Sequence, residues 1–180
     1  MEEFLQIFSE VEVMAPDYGA VIAIVLAGIL LLFSGFASGS EIAFFSLSPA
    51  DLSELEEEKT ERDRKILALR EDSERTLATI LITNNLVNVT IIMLCNYFFA
   101  KVIDFGGAYW IEFICLTVLL TFLLLLFGEI MPKVYTGQQP LRFCRTAVNG
   151  ILFCRKLFYP LETILIQSGI LAGKVVQKKS

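Results

Sequence analysis

Oxygen-bearing side chains and glycines interrupt three apolar stretches of this sequence. An unpaired hydroxyl, amide or carboxylate is costly inside an apolar stretch that crosses a membrane. Neutral oxygens, one carboxylate and exposed backbone carbonyls are hard ligands, which suit Mg²⁺, Ca²⁺ or Na⁺ and do not suit zinc or copper. The sequence therefore predicts a cation site built from Ser34, Ser38, Ser40, Asn84, Asn88, Gly128 and Glu129. Three further residues are expected to shape the backbone beside it, namely Gly35, Gly39 and Pro132.

The same residue types have a second interpretation. Serine, asparagine and glycine also pack membrane helices together, because small residues allow close approach and polar ones hydrogen-bond between helices. Glu129 could instead form an ion pair with Lys133, four residues later, or extend toward the interface. Glu41 and Glu112 are interpreted as interfacial carboxylates. One polar cluster in each apolar stretch, at similar depth, favours a cavity over packing.

The composition excludes several classes of function. Hydrophobic residues make up 55% of the 180 residues, more than in a typical soluble domain. The absence of histidine argues against a zinc or di-iron site built on imidazole. The four cysteines show no Cys-x-x-Cys spacing and are predicted to be small buried hydrophobic side chains. Because phosphate loops, nucleophile–base pairs and base-reading helices are absent from the sequence, it predicts neither an enzyme nor a nucleic-acid-binding protein.

Three transmembrane helices are predicted to position the polar clusters, at residues 18–37, 76–100 and 109–131. The serines are expected to mark the point where the first helix loses its regular backbone. Of the 15 Lys and Arg residues, 14 lie in the connection after the first span or in the chain after the third. The positive-inside rule makes that side cytoplasmic. Residues 1–17 are then outside and the C-terminus inside, in a plasma or bacterial inner membrane.

The remaining segments predict helices on the cytoplasmic side. Residues 48–72 are expected to form short helices between the first two spans of a transmembrane domain at residues 18–139. Residues 140–180 predict juxtamembrane amphipathic helices whose basic side faces anionic lipid headgroups. Residues 161–176 are too short and too polar to be read as a fourth span. The predicted fold is an all-α membrane protein with three transmembrane helices, a cytoplasmic helical turn and a juxtamembrane belt.

Three motifs stand in order in the chain: SGFASGSEIAFFSLS at residues 34–48, TILITNNLVN at 79–88 and GEIMPK at 128–133. Together they resemble the transmembrane domain of the CNNM/CorC family of magnesium transporters, over about residues 19–165. The family pattern is S-x-F-F-S-x-S-E-T-A, then I-x-x-G-N-x-L-V-N, then G-E-I-x-P-K. The chain departs from it at Thr83, where glycine is usual, and at Ile42, where threonine is usual.

The resemblance implies a Mg²⁺ site in an inward-facing cavity, a third helix broken by Pro132, and a homodimer. It also implies Na⁺-coupled export for some members, and a CBS-pair regulatory domain in the full-length chain. Two functions follow: transport of Mg²⁺ across the membrane, or a non-transporting Mg²⁺ sensor or scaffold that acts through its cytoplasmic region. A membrane enzyme that uses Glu129 is disfavoured, because no second acid or base is predicted near it.

Overall fold

The structure is a computed structural model that describes residues 1–58 and 60–179. Helices make up nearly all of it, which confirms the predicted all-α class. The helices are α1 (Glu2–Ser9), α2 (Tyr18–Phe45), α3 (Pro49–Glu58), α4 (Glu61–Glu71), α5 (Ser73–Val102), α6 (Tyr109–Leu123), a π-helix (Leu124–Ile130), α7 (Met131–Gln138), α8 (Pro140–Leu157) and α9 (Tyr159–Lys179). Two-residue strands, β1 (Glu12–Val13) and β2 (Ile103–Asp104), pair antiparallel. The sequence did not predict these strands, because two residues are too few to show alternation.

Three helices are long and apolar enough to cross a membrane: α2, α5 and the continuous helical run Tyr109–Gln138. This confirms the predicted number of spans, and the chain is a membrane protein. Large apolar side chains such as Leu32 and Val118 point outward and are mostly exposed. That arrangement is expected where lipid, rather than water, surrounds the helix. Within the part of the chain that the structure describes, α9 is not one of the three, as predicted for residues 161–176.

Helix α2 continues eight residues beyond its predicted end and includes all three serines. The expectation that the helix loses its regular backbone at the serines is therefore wrong. The hydroxyl of Ser40 donates to the carbonyl oxygen of Phe36 at 2.7 Å. A serine that bonds the carbonyl four residues earlier satisfies its hydroxyl without leaving the helix.

The expectation that Pro132 breaks the third helix is also wrong, because the helical run continues to Gln138. The irregular part is instead the π-helix Leu124–Ile130, directly before the proline. In an α-helix the proline ring would clash with the carbonyl four residues earlier. A π-helical turn is wider, and it relieves this clash without ending the helix.

The described residues form two compact units. The first unit comprises residues 1–34 and 86–130, and the second comprises residues 35–85 and the chain from Met131 onward. In the first unit Ala27, Ile91, Cys95 and Leu120 form the centre of the core, so α2, α5 and α6 pack together there. Small residues at two of these positions allow the close approach that packing in a membrane requires.

The second unit has a larger core, built mainly from α2, α3, α4 and α8. Its most buried side chains include Phe44, Leu55, Ile66 and Ile151. Helix α4 begins with a capping box, in which Thr60 and Asp63 each bond the other's backbone amide. Helix α8 is amphipathic, with one buried apolar face and with arginines and lysine toward the outside.

Candidate metal-ion site

In the first unit, Ser34 and Asn88 bring two oxygens together from different helices. The hydroxyl of Ser34, which is fully buried, donates to Oδ1 of Asn88 at 2.6 Å. Six oxygens at about 2.1 Å around Mg²⁺ place neighbouring oxygens about 3.0 Å apart. The 2.6 Å between these two oxygens is therefore close to the distance between neighbouring ligands of Mg²⁺.

Gly128 lies against this pair. A Cβ atom on Gly128 would lie 2.9 Å from the Ser34 hydroxyl oxygen, so no side chain fits there without displacing Ser34. Gly128 belongs to the π-helix, and Pro132 has no amide hydrogen for the carbonyl four residues earlier, which is that of Gly128. Glycine, π-helix and proline together make this backbone carbonyl a candidate third oxygen ligand.

Glu129 is half-buried on the π-helix of the first unit. The lysine that the sequence offered as its partner is occupied, since Lys133 Nζ lies 3.3 Å from Oε2 of Glu41. A carboxylate next to Gly128 is the kind of group that a divalent cation site uses. Among the described residues no group of three or more acidic or cysteine side chains could hold a metal.

The other predicted ligands lie in the second unit. Ser38 and Ser40 are both buried on α2, and Asn84 is half-buried on α5. The Ser40 hydroxyl proton is used by the carbonyl of Phe36, which favours a packing role for this serine. Ser38 has no such bond among the described residues. Gly35 and Gly39 are buried beside these serines.

The chain matches the Cyclin M transmembrane N-terminal domain, CNNM, over residues 25–179. It is 31% identical over 137 residues to a UPF0053 protein of Haemophilus influenzae, and the aligned region covers 76% of this chain and 31% of that protein. It is also 31% identical over 146 residues to the metal transporter cnnm-4 of Caenorhabditis elegans, covering 76% of this chain and 29% of that protein.

The chain belongs to the CNNM family. It spans less than a third of the length of either relative. The match begins within α2 and includes the serines, the asparagines and the π-helix. The resemblance read from the three motifs is thereby confirmed.

Thr136 is a polar residue of this CNNM domain that the sequence analysis missed. Its side chain is buried in α7, and its hydroxyl oxygen has no hydrogen-bond partner among the described residues. A Cβ on Gly39 would lie 2.8 Å from that oxygen. The available signal was its position one helical turn after Pro132, but an isolated threonine is too common for that spacing to select it.

A buried carboxylate on α9 was missed as well. Glu162 is fully buried, accepts a hydrogen bond from the Thr79 hydroxyl, and lies 3.5 Å from Nη1 of Arg75. The guanidinium of Arg75 also stacks on Tyr159, 4.4 Å from the ring centre. Because one arginine and one threonine satisfy the carboxylate, we interpret this network as the attachment of α9 to α5.

The cysteines follow the prediction in three positions of four. Cys95, Cys144 and Cys154 are buried and free. Burial raises the pKa of the Cys144 thiol to about 12, which keeps it protonated and inert. Cys115 is exposed on α6, so the prediction of a buried side chain is wrong there. Its place on an apolar, outward-facing helix surface still puts it in lipid rather than water.

Proposed function

We propose that this CNNM domain transports Mg²⁺ across the plasma membrane, using the oxygens of Ser34 and Asn88 as an ion position. The observation that carries the proposal is the 2.6 Å contact between these oxygens on two membrane-spanning helices, beside Gly128. A relative bears the name metal transporter. Its family is transporter-like rather than enzymatic, which supports an ion rather than a chemical substrate.

The ligand chemistry supports transit rather than permanent binding. Conduction requires binding that is strong enough to admit an ion and weak enough to release it. Two neutral side-chain oxygens, one backbone carbonyl and the single carboxylate of Glu129 bind less tightly than several carboxylates would. Mg²⁺ also keeps several waters in most protein sites, so a small set of protein oxygens is enough.

The coupling, assembly, lipid contacts and regulation of the transporter are part of the function that we propose. Transport is export coupled to Na⁺ entry, from a homodimer whose N-terminus is outside and whose C-terminus is cytoplasmic. Anionic lipid headgroups contact the basic side of α8, where Arg142 and Lys156 are exposed. A CBS-pair domain in the full-length chain regulates transport.

Reconstituted protein tests the ion position. Ser34→Ala and Asn88→Ala each remove one of the paired oxygens. We expect Mg²⁺ flux into dye-loaded liposomes to fall by about tenfold or more, because metal affinity or activity falls on that scale when a group at a metal site is removed. Asn85→Ala is the matched control. Asn85 is exposed, and its amide donates to the Leu81 carbonyl of its own helix at 2.9 Å, so its loss should leave flux unchanged.

The measurement separates the two functions that the sequence predicts. Thermal stabilisation by Mg²⁺ reports binding, and dye fluorescence reports transport. Wild-type stabilisation by Mg²⁺ without any flux would favour the sensor or scaffold. If Ser34→Ala and Asn88→Ala behave like Asn85→Ala in both measurements, the assigned ion position is wrong.

A further inference from the structure

Two buried hydroxyls of the second unit lack a hydrogen-bond partner among the described residues. They are those of Ser38 on α2 and Thr136 on α7. Each side chain is about 1% exposed. A buried polar group without a partner is destabilising, so buried polar groups nearly always have a partner in the protein, in water or in a bound ion.

Neighbouring hydroxyls show that a partner was available in principle. Ser40 donates to the Phe36 carbonyl, Thr83 to the Thr79 carbonyl, and Thr76 to the Leu69 carbonyl. A serine or threonine in a helix can bond the carbonyl one turn earlier by a rotation of χ1. Ser38 and Thr136 lie in regular helices and do not do so. Their oxygens are therefore left with free lone pairs.

The backbone brings Thr136 close to α2 at a glycine. A Cβ on Gly39 would lie 2.8 Å from the Thr136 hydroxyl oxygen and 2.9 Å from Cζ of Phe143. Only glycine leaves room for the hydroxyl at this position. Glu41 and Lys133 form an ion pair nearby. Glu41 follows Ser38 by three residues on α2, and Lys133 precedes Thr136 by three residues on α7, so each charged residue is about one helical turn from a hydroxyl.

We propose that the hydroxyls of Ser38 and Thr136 form a second position for the transported hard cation, which water ligands complete. The inference rests on the proposed transport function and adds Thr136 to the path. Ser38 follows Ser34 by four residues on α2 and so occupies the same helix face one turn along. Two neutral hydroxyls bind a cation weakly, as a transient position requires.

Matched variants separate this role from a structural one. Thr136→Val preserves the shape and removes the hydroxyl, and Thr136→Ser restores a hydroxyl. Because no hydrogen bond is lost, we expect Thr136→Val to leave the melting temperature without Mg²⁺ unchanged or raised. We expect its Mg²⁺ flux in dye-loaded liposomes to fall about tenfold, and Thr136→Ser to restore it. Ser38→Ala should behave like Thr136→Val.

Thr76→Val is the control, because the Thr76 hydroxyl is equally buried but donates to the Leu69 carbonyl. It should lower the melting temperature without Mg²⁺ and leave the flux per folded protein unchanged. If Thr136→Val and Ser38→Ala lower the melting temperature as Thr76→Val does and leave the flux unchanged, the hydroxyls hold a structural water and the inference is overturned.

Ser34→Ala, measured in parallel, distinguishes the two proposals. Loss of flux in Ser34→Ala with wild-type flux in Thr136→Val overturns the second position and leaves the transport function standing. Wild-type flux in Ser34→Ala, or no flux in the wild type, removes the transport function itself. Loss of flux in both, with restoration by Thr136→Ser, supports both proposals.

Discussion

The second unit contains two polar clusters of opposite character. Around Arg145, charged groups from three helices meet and each has a partner. Around Ser38 and Thr136, neutral hydroxyls are buried and have no partner among the described residues. The region around Arg145 has many more charges, yet the region around Ser38 and Thr136 is the one that we propose as a transient ion position. In this CNNM domain a dense charge cluster therefore marks where helices are held together.

The Arg145 cluster uses every side of one guanidinium. Nε lies 3.1 Å from Asp63, Nη1 3.0 Å from Glu54 and Nη2 2.9 Å from Glu58. The cluster thus joins α8 to both α3 and α4. Burial raises the pKa of Asp63, but hydrogen bonds from Thr60 and Arg145 outweigh it and hold that pKa below its ordinary value.

The largest expected effect is on the charged cluster. Arg145→Ala leaves the buried Asp63 carboxylate without its cation. We expect the free energy of unfolding to fall by about 2 to 3 kcal/mol. This loss is smaller than for a fully buried ion pair, because Arg145 is partly exposed. Thermal unfolding in detergent measures this. Arg142→Ala is the control, because Arg142 is exposed and its guanidinium donates to the Gln139 side chain three residues earlier. Equal losses in the two variants would show that the cluster does not hold α8.

A smaller effect is expected at the neutral cluster. Gly39→Ala puts a methyl group 2.8 Å from the Thr136 hydroxyl and 2.9 Å from Phe143, and such overpacking costs about 1 to 3 kcal/mol. Gly137→Ala is the control, since no atom of the described residues beyond its own helical turn lies within 4 Å of its Cβ position. In a helix that change should stabilise by about 0.5 to 1 kcal/mol. A stable Gly39→Ala protein would mean that α2 and α7 are not in close contact at this position.

The smallest effect is a dependence on pH. The pKa of Asp63 is lower in the folded state than its ordinary value, which is about 3.9. Its contribution to stability is therefore present at pH values above that ordinary pKa, and it is lost as the pH falls through the folded-state pKa. Unfolding measured from pH 6 to pH 3 should therefore show a decline that Asp63→Asn reduces. The neutral cluster contributes no such slope, so Thr136→Val should follow the wild-type pH curve. An unchanged curve in Asp63→Asn would contradict the lowered pKa.

Much of the fold and part of the site could be predicted from residue types alone. Long apolar runs require membrane helices, because only internally bonded backbone is stable in lipid. The chemistry of Ser34, Asn88 and Gly128 follows from oxygen donors that interrupt such runs, and the structure brings these three together in one unit. That any of the seven residues ligates an ion (Ser34, Ser38, Ser40, Asn84, Asn88, Gly128 and Glu129) stays a prediction.

The sequence by itself determined the membrane class and the family, because apolar length and residue type carry that information locally. Only the tertiary structure decided how each hydroxyl is used: Ser40 bonds its own helix, while Ser38 and Thr136 do not. It also decided that the third helix continues through Pro132 by way of a π-helix. The physical reason is that hydrogen-bond partners and helix irregularities depend on which surfaces face each other, and residues distant in the chain set that arrangement.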